Sequence, residues 1–354
     1  MAEFVTDVVT PAQLTAAVQA AMTGGLPFEG IIPSRPTDNI KQAISRVDLR
    51  VSAEVARYRA WETVPDIGRR PGFSIEEYEI APLGWSYRLN EEDLERFNRL
   101  QQGIGERLDS TVVDAIFNDA LRAANAVLNR LTLTHGELLS TGRVTLTELG
   151  NPVTANAIPV VFPVPANQLN VAPATLWSNT GTSTPVTDLA AWEAIYRANN
   201  DGRNPDAWGI SSEILANLVL NTQIRTLAPV TGIVPGVITA ATVGQVLSAA
   251  GVAAPLVVTN DVERPRLDGS GNARVIGNRK VIGLQAGMAQ TYFAPPPVLA
   301  VMGSAGNARL LRSEAQGVIA YSTTGIRPPE VITTAEAVAL PLLERPSALF
   351  IANV

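Results

Sequence analysis

The 354-residue chain contains no cysteine, one histidine and, among 27 basic residues, only two lysines, Lys41 and Lys280. Without cysteine there are no disulfides, thiolate metal sites or cysteine nucleophiles, so stability has to come from packing and association. A zinc site or a Ser-His-Asp arrangement would have to use His135, and no G-x-S-x-G elbow accompanies it. His135 lies in "TLTHGELL" at the end of a helical pattern and is read as a cation at a helix C-terminus, with Gly136 as the stop. A basic surplus is also missing. The net charge of -6 argues against a role that depends on gripping phosphates.

Long apolar runs are absent as well. The most apolar window, "GVITAATVGQVLSAAGVAAPLVV", is broken by Gly236, Gly244, Gln245, Gly251 and Pro255, and reads as a short helix followed by a buried strand. "MAEFVTDVVTPAQLTAAVQAA" begins acidic and reads as an amphipathic helix rather than an export signal, which implies a cytoplasmic product. "GSGNAR", residues 269–274, lacks the third glycine of a dinucleotide fingerprint and the apolar strand before it, so it is read as a hairpin turn. No phosphate loop of the G-x-x-x-x-G-K-[ST] type occurs.

With 46% apolar and 17% charged residues, the chain has the composition of a folded protein long enough for two lobes. After an arm punctuated by Gly24, Gly25, Pro27, Gly30, Pro33 and Pro36, the pattern changes to period two. Val47, Leu49, Val51, Ala53 and Val55 alternate with Asp48, Arg50, Ser52 and Glu54, as a half-buried strand requires. "FSIEEYEI" returns after a tip around Pro65 and Gly68, which predicts a long hairpin. From Ser45 to Ile80 there are 6 arginines and 7 acidic residues, with Tyr58, Trp61, Phe73 and Tyr78 interleaved. An isolated two-stranded ribbon is marginal in water, so this one needs a partner. Glu76, Glu77 and Glu79 do not make a metal cluster: alternation puts Glu77 and Glu79 on one face and Glu76 on the other, and calcium-loop spacing is lacking. Salt bridges to arginines of a neighbouring copy, or a solvated face, remain as their uses.

Asn90 is a predicted N-cap, with Glu91, Glu92 and Asp93 in the first turn of a helix ending near Gly103. The strongest helical pattern runs from about Glu106 to His135, with Leu108, Val112, Ile116, Ala120, Ala123, Val127 and Leu131 on one stripe. "GRVTLTEL" alternates as a strand, and a charge-free, proline-rich sweep over 151–187 reads as a packed connection. Beyond it the pattern is mixed: a helix in "TDLAAWEAIYRAN" capped by Thr187, a buried strand in "DAWGIS", one helix over "SEILANLVLNTQIRTL", another around "TVGQVLSAAG", and the strand "APLVVTN". From about Ala300 the chain is extended again, and its final strands are expected to return to the long helix.

In that order of parts the chain resembles the major capsid proteins of tailed bacteriophages, in particular the lambda-type capsid protein E family. The likeness is carried by "YRAWETVPDIGRRPG", "LNEEDLERFNRLQQGIGERLDSTVVDAI", "LWSNTGTSTPVTDLAAWEAIYRANNDGRNPDAWGIS" and "ITTAEAVALPLLERPSALFIANV", from about residue 28 onward. The resemblance implies an α+β fold of the Hong Kong 97 type, with residues 1–44 as N-terminal arm, 45–85 as extended loop hairpin, 86–150 as peripheral domain with the spine helix, 151–300 as axial domain with its connecting segment, and 301–354 as return strands of the peripheral domain. It implies no enzyme activity and no catalytic, cofactor or metal residues. Copies would assemble as hexamers and pentamers into an icosahedral shell, enclosing DNA without binding it specifically and touching no membrane.

Only some 35 to 40 residues precede the hairpin, which implies a separate scaffolding protein; a portal and a cementing or decoration protein are the other expected partners. The shell would be built in the host bacterial cytoplasm and end in the virion capsid. Lysine to asparagine crosslinking is not expected, because neither Lys41 nor Lys280 lies at the loop tip. The expected contact residues between copies are Arg57, Arg59, Trp61, Asp66, Arg69, Arg70, Phe73, Glu76, Glu77, Tyr78 and Glu79. An encapsulin-like compartment of the same fold is the alternative; an enzyme or small-molecule binder in the second lobe is the reading from another class.

Overall fold

The computed structural model describes residues 25–47, 73–93, 95, 107–146, 160–228, 238–266, 270–298, 317–326 and 329–354. Along the chain, β1 (Ser34–Pro36), β2 (Lys41–Val47), β3 (Phe73–Glu79) and β4 (Pro82–Leu89) precede the long helix α1 (Arg107–Thr141). Two short strands, β5 (Arg143–Val144) and β6 (Val160–Val161), lead to α2 (Pro185–Asn199), β7 (Ala207–Ile210), α3 (Ser212–Leu220), α4 (Thr222–Leu227), α5 (Ala240–Ala249) and β8 (Leu256–Val258). Then follow β9 (Glu263–Pro265), β10 (Asn272–Arg274), β11 (Lys280–Leu284), β12 (Ala289–Ala294), β13 (Val318–Ile326), β14 (Pro329–Leu343) and β15 (Phe350–Asn353). The chain divides into two compact units: Met1–Gln42, Glu79–His135 and Gln290–Leu342 form one, and Ala43–Tyr78, Gly136–Ala289 and Leu343–Val354 the other.

In the first unit, β14 pairs antiparallel with β13 on one side and with β4 on the other. Residues two apart on a strand share a face. Ala335, Ala337 and Ala339 of β14 therefore turn together into a core with Val318, Phe293 and Leu26, packed with Ala123, Ala124, Val127, Leu128 and Leu131 of α1. The small alanines let helix and sheet approach closely. Pro33 and Pro36 do not keep the early segment irregular throughout, for Ser34–Pro36 pairs in parallel with Thr291–Phe293. A three-residue edge strand tolerates proline because few of its N–H groups are needed in the ladder. Phe28 and Ile32 are buried beside it.

At 1.5 Å per residue the 35-residue α1 is about 52 Å long. It does not stop at Gly136. A Cβ at Gly136 would sit 2.0 Å from Val275 Cγ1 and 2.7 Å from the Val275 carbonyl oxygen, so the glycine is there for a close crossing of backbone, inside the helix. The turn out of the helix comes at Gly142, whose φ of +68° is left-handed and whose N–H donates to the Leu138 carbonyl at 2.9 Å. His135 accordingly is not a capping cation. It is fully buried, its Nε2 lies 2.8 Å from Thr291 Oγ1, and burial lowers its pKa to about 4, so the ring is neutral. The cation near the helix end is Lys280, whose Nζ donates to the Ser140 carbonyl at 2.9 Å.

The second unit is built on a four-stranded sheet in the order β15-β11-β7-β8, with β7 and β8 parallel and the other pairs antiparallel. Trp192 of α2 stacks on Trp177 with centroids 5.4 Å apart and also meets Trp208 of β7 and Phe350 of β15. Burying each of these rings contributes about 1.5–3 kcal/mol. The terminal strand thus differs from expectation: β15 joins β11 in this sheet, because Phe350 and Ala352 complete the core around Trp192 and Trp208.

Local chemistry accounts for two further differences. Thr187 does not cap α2, which starts at Pro185 after Thr184; the proline suits the first helical position. Gln223 serves that end instead, its Oε1 accepting from Val186 N at 3.0 Å and its Nε2 donating to Thr187 Oγ1 at 3.0 Å. Residues 212–227 form two helices rather than one. Asn221 ends α3 in an extended conformation and its Oδ1 accepts from Ile224 N, which starts α4, while its Nδ2 donates to Ser183 Oγ at 2.9 Å.

Candidate functional site

The charged ribbon is the candidate site. Of the contact residues expected from the sequence, Arg57, Arg59, Trp61, Asp66, Arg69 and Arg70 lie outside the described residues, and Phe73 is described by its backbone alone. The predicted alternating run beyond Val47 also lies outside them; the described outgoing strand is β2, which ends at Val47. β2 pairs with β3 as a two-stranded sheet, so the base of a ribbon is present.

On β3 the period of two separates the four remaining residues. Glu77 and Glu79 are exposed, whereas Glu76 and Tyr78 are half-buried. Tyr78 packs its ring on Phe162 of the same chain, centroids 5.5 Å apart, and its hydroxyl donates to Glu76 Oε2. Phe162 is itself buried, and its N–H donates to the Gly142 carbonyl at 3.2 Å, next to the end of α1. An aromatic pair of this kind contributes about 0.5–1.5 kcal/mol beyond area burial. Tyr78 and Glu76 therefore hold the ribbon's base to its own body, and the outward charge of β3 is that of Glu77 and Glu79.

Two exposed features were not singled out from the sequence. Trp85 on β4 is 54% exposed, and Val257 and Val258 on β8 are 42% and 43% exposed. Large apolar groups at a strand edge mark contact surfaces more often than scattered single ones do. The charge-free "APLVVTN" was expected to be a buried strand, whereas β8 is half-buried at Leu256 and exposed at Val257 and Val258.

Nothing among the described residues forms a metal-binding group of three or more His, Asp or Glu side chains, and no described helix is long and apolar enough to cross a membrane. The perturbed groups are scattered: burial raises the pKa of Asp188 against the hydrogen bond from Trp177 Nε1, and burial lowers that of Lys280. In the β9–β10 hairpin, burial would raise Asp261, but hydrogen bonds from Ser212 and the Arg274 guanidinium outweigh it and hold the carboxyl below its usual range. These are structural pairings at separate places.

The profile of a family described as phage major capsid protein E matches residues 47–354. No curated protein sequence matches the chain significantly. Among solved structures, the chain is similar to a protein assigned as the capsid protein of a prophage in Escherichia coli CFT073, with 12% identity, 98% of this chain and 99% of that chain covered, and a TM-score of 0.58. A phage-related protein of Bordetella bronchiseptica RB50 (12% identity, 96% and 95% covered, TM-score 0.49) and the capsid of Myoviridae phage XM1 (12%, 93% and 92%, TM-score 0.49) are too distant in shape to bear on the fold. The mixed helix and sheet architecture, alike over nearly the whole length of the prophage protein, is that of a Hong Kong 97 type capsid protein. With a profile match spanning both compact units, the chain belongs to the phage major capsid protein E family.

Proposed function

We propose that copies of this protein assemble as hexamers and pentamers into the icosahedral shell of a tailed, double-stranded DNA phage. The role is structural, without catalysis or cofactor. The observation that carries this reading is the family match over residues 47–354. The net charge of -6 supports an enclosing wall that does not hold DNA tightly. A separate scaffolding protein, a portal and a cementing protein complete the assembly, which takes place in the host cytoplasm.

In this reading residues 45–85 are the extended loop, reaching over an adjacent copy. Arg57, Arg59, Asp66, Arg69, Arg70, Glu77 and Glu79 set register through charge, and Trp61 and Phe73 supply buried area. The exposure of Glu77 and Glu79 supports that use. Glu76 and Tyr78 are contact residues only at the ribbon's base, since their polar and aromatic contacts are to their own chain.

Negative-stain microscopy of the protein expressed with and without its neighbouring gene products tests the assembly. Closed shells are expected. A protein that stays monomeric under every assembly condition contradicts it. Arg69→Glu with Arg70→Glu is expected to give folded, soluble subunits and no shells; normal shells would remove the role assigned to the tip.

A further inference from the structure

β1 is the edge of its sheet, in the order β1-β12-β14-β13, so β12 keeps β14 as a partner whether or not β1 is in place. Few bonds hold the segment over residues 26–36 there. The strand pairs three residues, one of them a proline, and beside it Thr291 N donates to the Pro33 carbonyl at 2.9 Å and Thr37 N to the Phe293 carbonyl at 2.8 Å. The rest is burial of Leu26, Phe28 and Ile32.

His135 of α1 touches both the segment and the strand it docks on. Phe28 rests on the imidazole, with ring centroids 6.3 Å apart and planes at 70°. Nε2 lies 2.8 Å from Thr291 Oγ1, and Thr291 is the residue of β12 paired with Ser34. Nδ1 is buried with no hydrogen-bond partner among the described residues, and so is Ser34 Oγ. In the charged ring both nitrogens are donors. Such a ring needs two acceptors here and is offered one.

No carboxylate is turned toward it. On the segment, Glu29 lies toward Gly25, while Arg35 reaches Gln290 Oε1 at 3.4 Å and stands 5.8 Å over the Tyr292 ring of β12. On α1, Arg130 and Glu137 fall round the helix from His135, and Glu137 accepts from Thr145. On β14, Glu330 and Glu336 alternate to the face opposite Ala335, where they pair with Arg88 and Tyr321. Burial is accordingly the one influence on the ring, and it favours the neutral form.

We propose that residues 26–36 form an acid-released strap latched by neutral His135: a proton on the ring frees the segment and β1 from the sheet edge, while α1, β13 and β14 stay packed. Opening gives the ring water for both nitrogens. The closed form titrates at about 4 and the open form near the ordinary 6.5, so the closed form loses ground as pH falls through that window. Between pH 7 and pH 4 the open population should rise about a hundredfold.

Hydrogen exchange of the full chain as unassembled subunits, read by mass spectrometry and corrected for the intrinsic effect of pH, tests this. Peptides over 26–36 are expected to lose about a hundredfold in protection from pH 7 to pH 4, with those over 123–131 of α1 and over β11 keeping theirs. His135→Gln, which keeps a polar group for Thr291 but does not titrate, should show no such loss; His135→Leu, apolar and close in size, serves the same purpose if the glutamine variant does not fold. Unchanged protection of 26–36 in the wild-type protein overturns the inference. A loss as large in the variant, or an equal loss in β11, overturns it too, because the acid would then act elsewhere or on the whole fold.

Discussion

Two glycines inside helices are predicted to respond to alanine with opposite signs. In an exposed helix interior, Gly→Ala stabilises by about 1 kcal/mol. Gly244 of α5 is such a position, exposed and with nothing within 4 Å of an added Cβ, so Gly244→Ala should gain roughly 0.5–1 kcal/mol. Gly136 of α1 is buried against the 275 backbone. Its new methyl would lie 2.0 Å from Val275 Cγ1 and 2.7 Å from the Val275 oxygen, and although a rotamer change can move the first atom, the second is backbone. Overpacking of this kind destabilises by about 1–3 kcal/mol, sometimes more, which exceeds the propensity gain.

Gly136→Ala is therefore expected to lose on the order of 1–2 kcal/mol net. Urea unfolding of unassembled subunits, followed by circular dichroism, reads this as a midpoint lowered by about 0.5 M, with Gly244→Ala shifted the other way. Gly136→Ala at or above the wild-type midpoint would refute the close-crossing account of this glycine.

Three further outcomes follow from single groups. His135 has a folded pKa of about 4 against an ordinary 6.5, so the unfolded chain takes up its proton first. Stability should be full above pH 6.5, fall as pH drops toward 4 by on the order of 3 kcal/mol, and then level off; His135→Gln should flatten that part of a pH series of urea midpoints. Buried Glu193 accepts from Ala253 N at 3.0 Å and Ala254 N at 2.9 Å, so Glu193→Ala should lower stability by about 1–3 kcal/mol by leaving the buried Ala254 donor and the part-buried Ala253 donor without their acceptor, with Glu193→Gln losing less. Asn221→Ala should cost about 2 kcal/mol in thermal unfolding, more than an ordinary cap, because it removes both the cap of α4 and the bond to Ser183.

Features decided within a few residues were legible in the sequence. Asn90 accepts from Asp93 N at 2.9 Å, as its place before an acidic first turn predicts. The stripe of Ala120, Ala123, Val127 and Leu131 is buried, and β13 with β14 forms the expected extended pair. "GSGNAR" lies where β9 turns into β10, with Gly271 at a φ of +117°.

What escaped was decided by distant residues. Nothing near Gly136 announces that Val275 will press on it, so a stop was the local reading. Asn221 interrupts a pattern that reads as one helix because Ser183, 38 positions earlier, offers its side chain a partner. β15 left the expected sheet because Trp177, Trp192 and Trp208 make an aromatic core that needs Phe350. At the candidate site, alternation separated Glu77 and Glu79 from Glu76 correctly. It could not show that Phe162 would claim Tyr78 for the same chain.

In the proposed assembly the ribbon over residues 45–85 is completed by another copy. Cryo-electron microscopy of assembled shells, at a resolution that traces 48–72 and assigns each ribbon to its subunit, tests this most directly. Arg69 and Arg70 are expected to lie against an adjacent subunit. Finding that segment folded back on its own body in every subunit would contradict it.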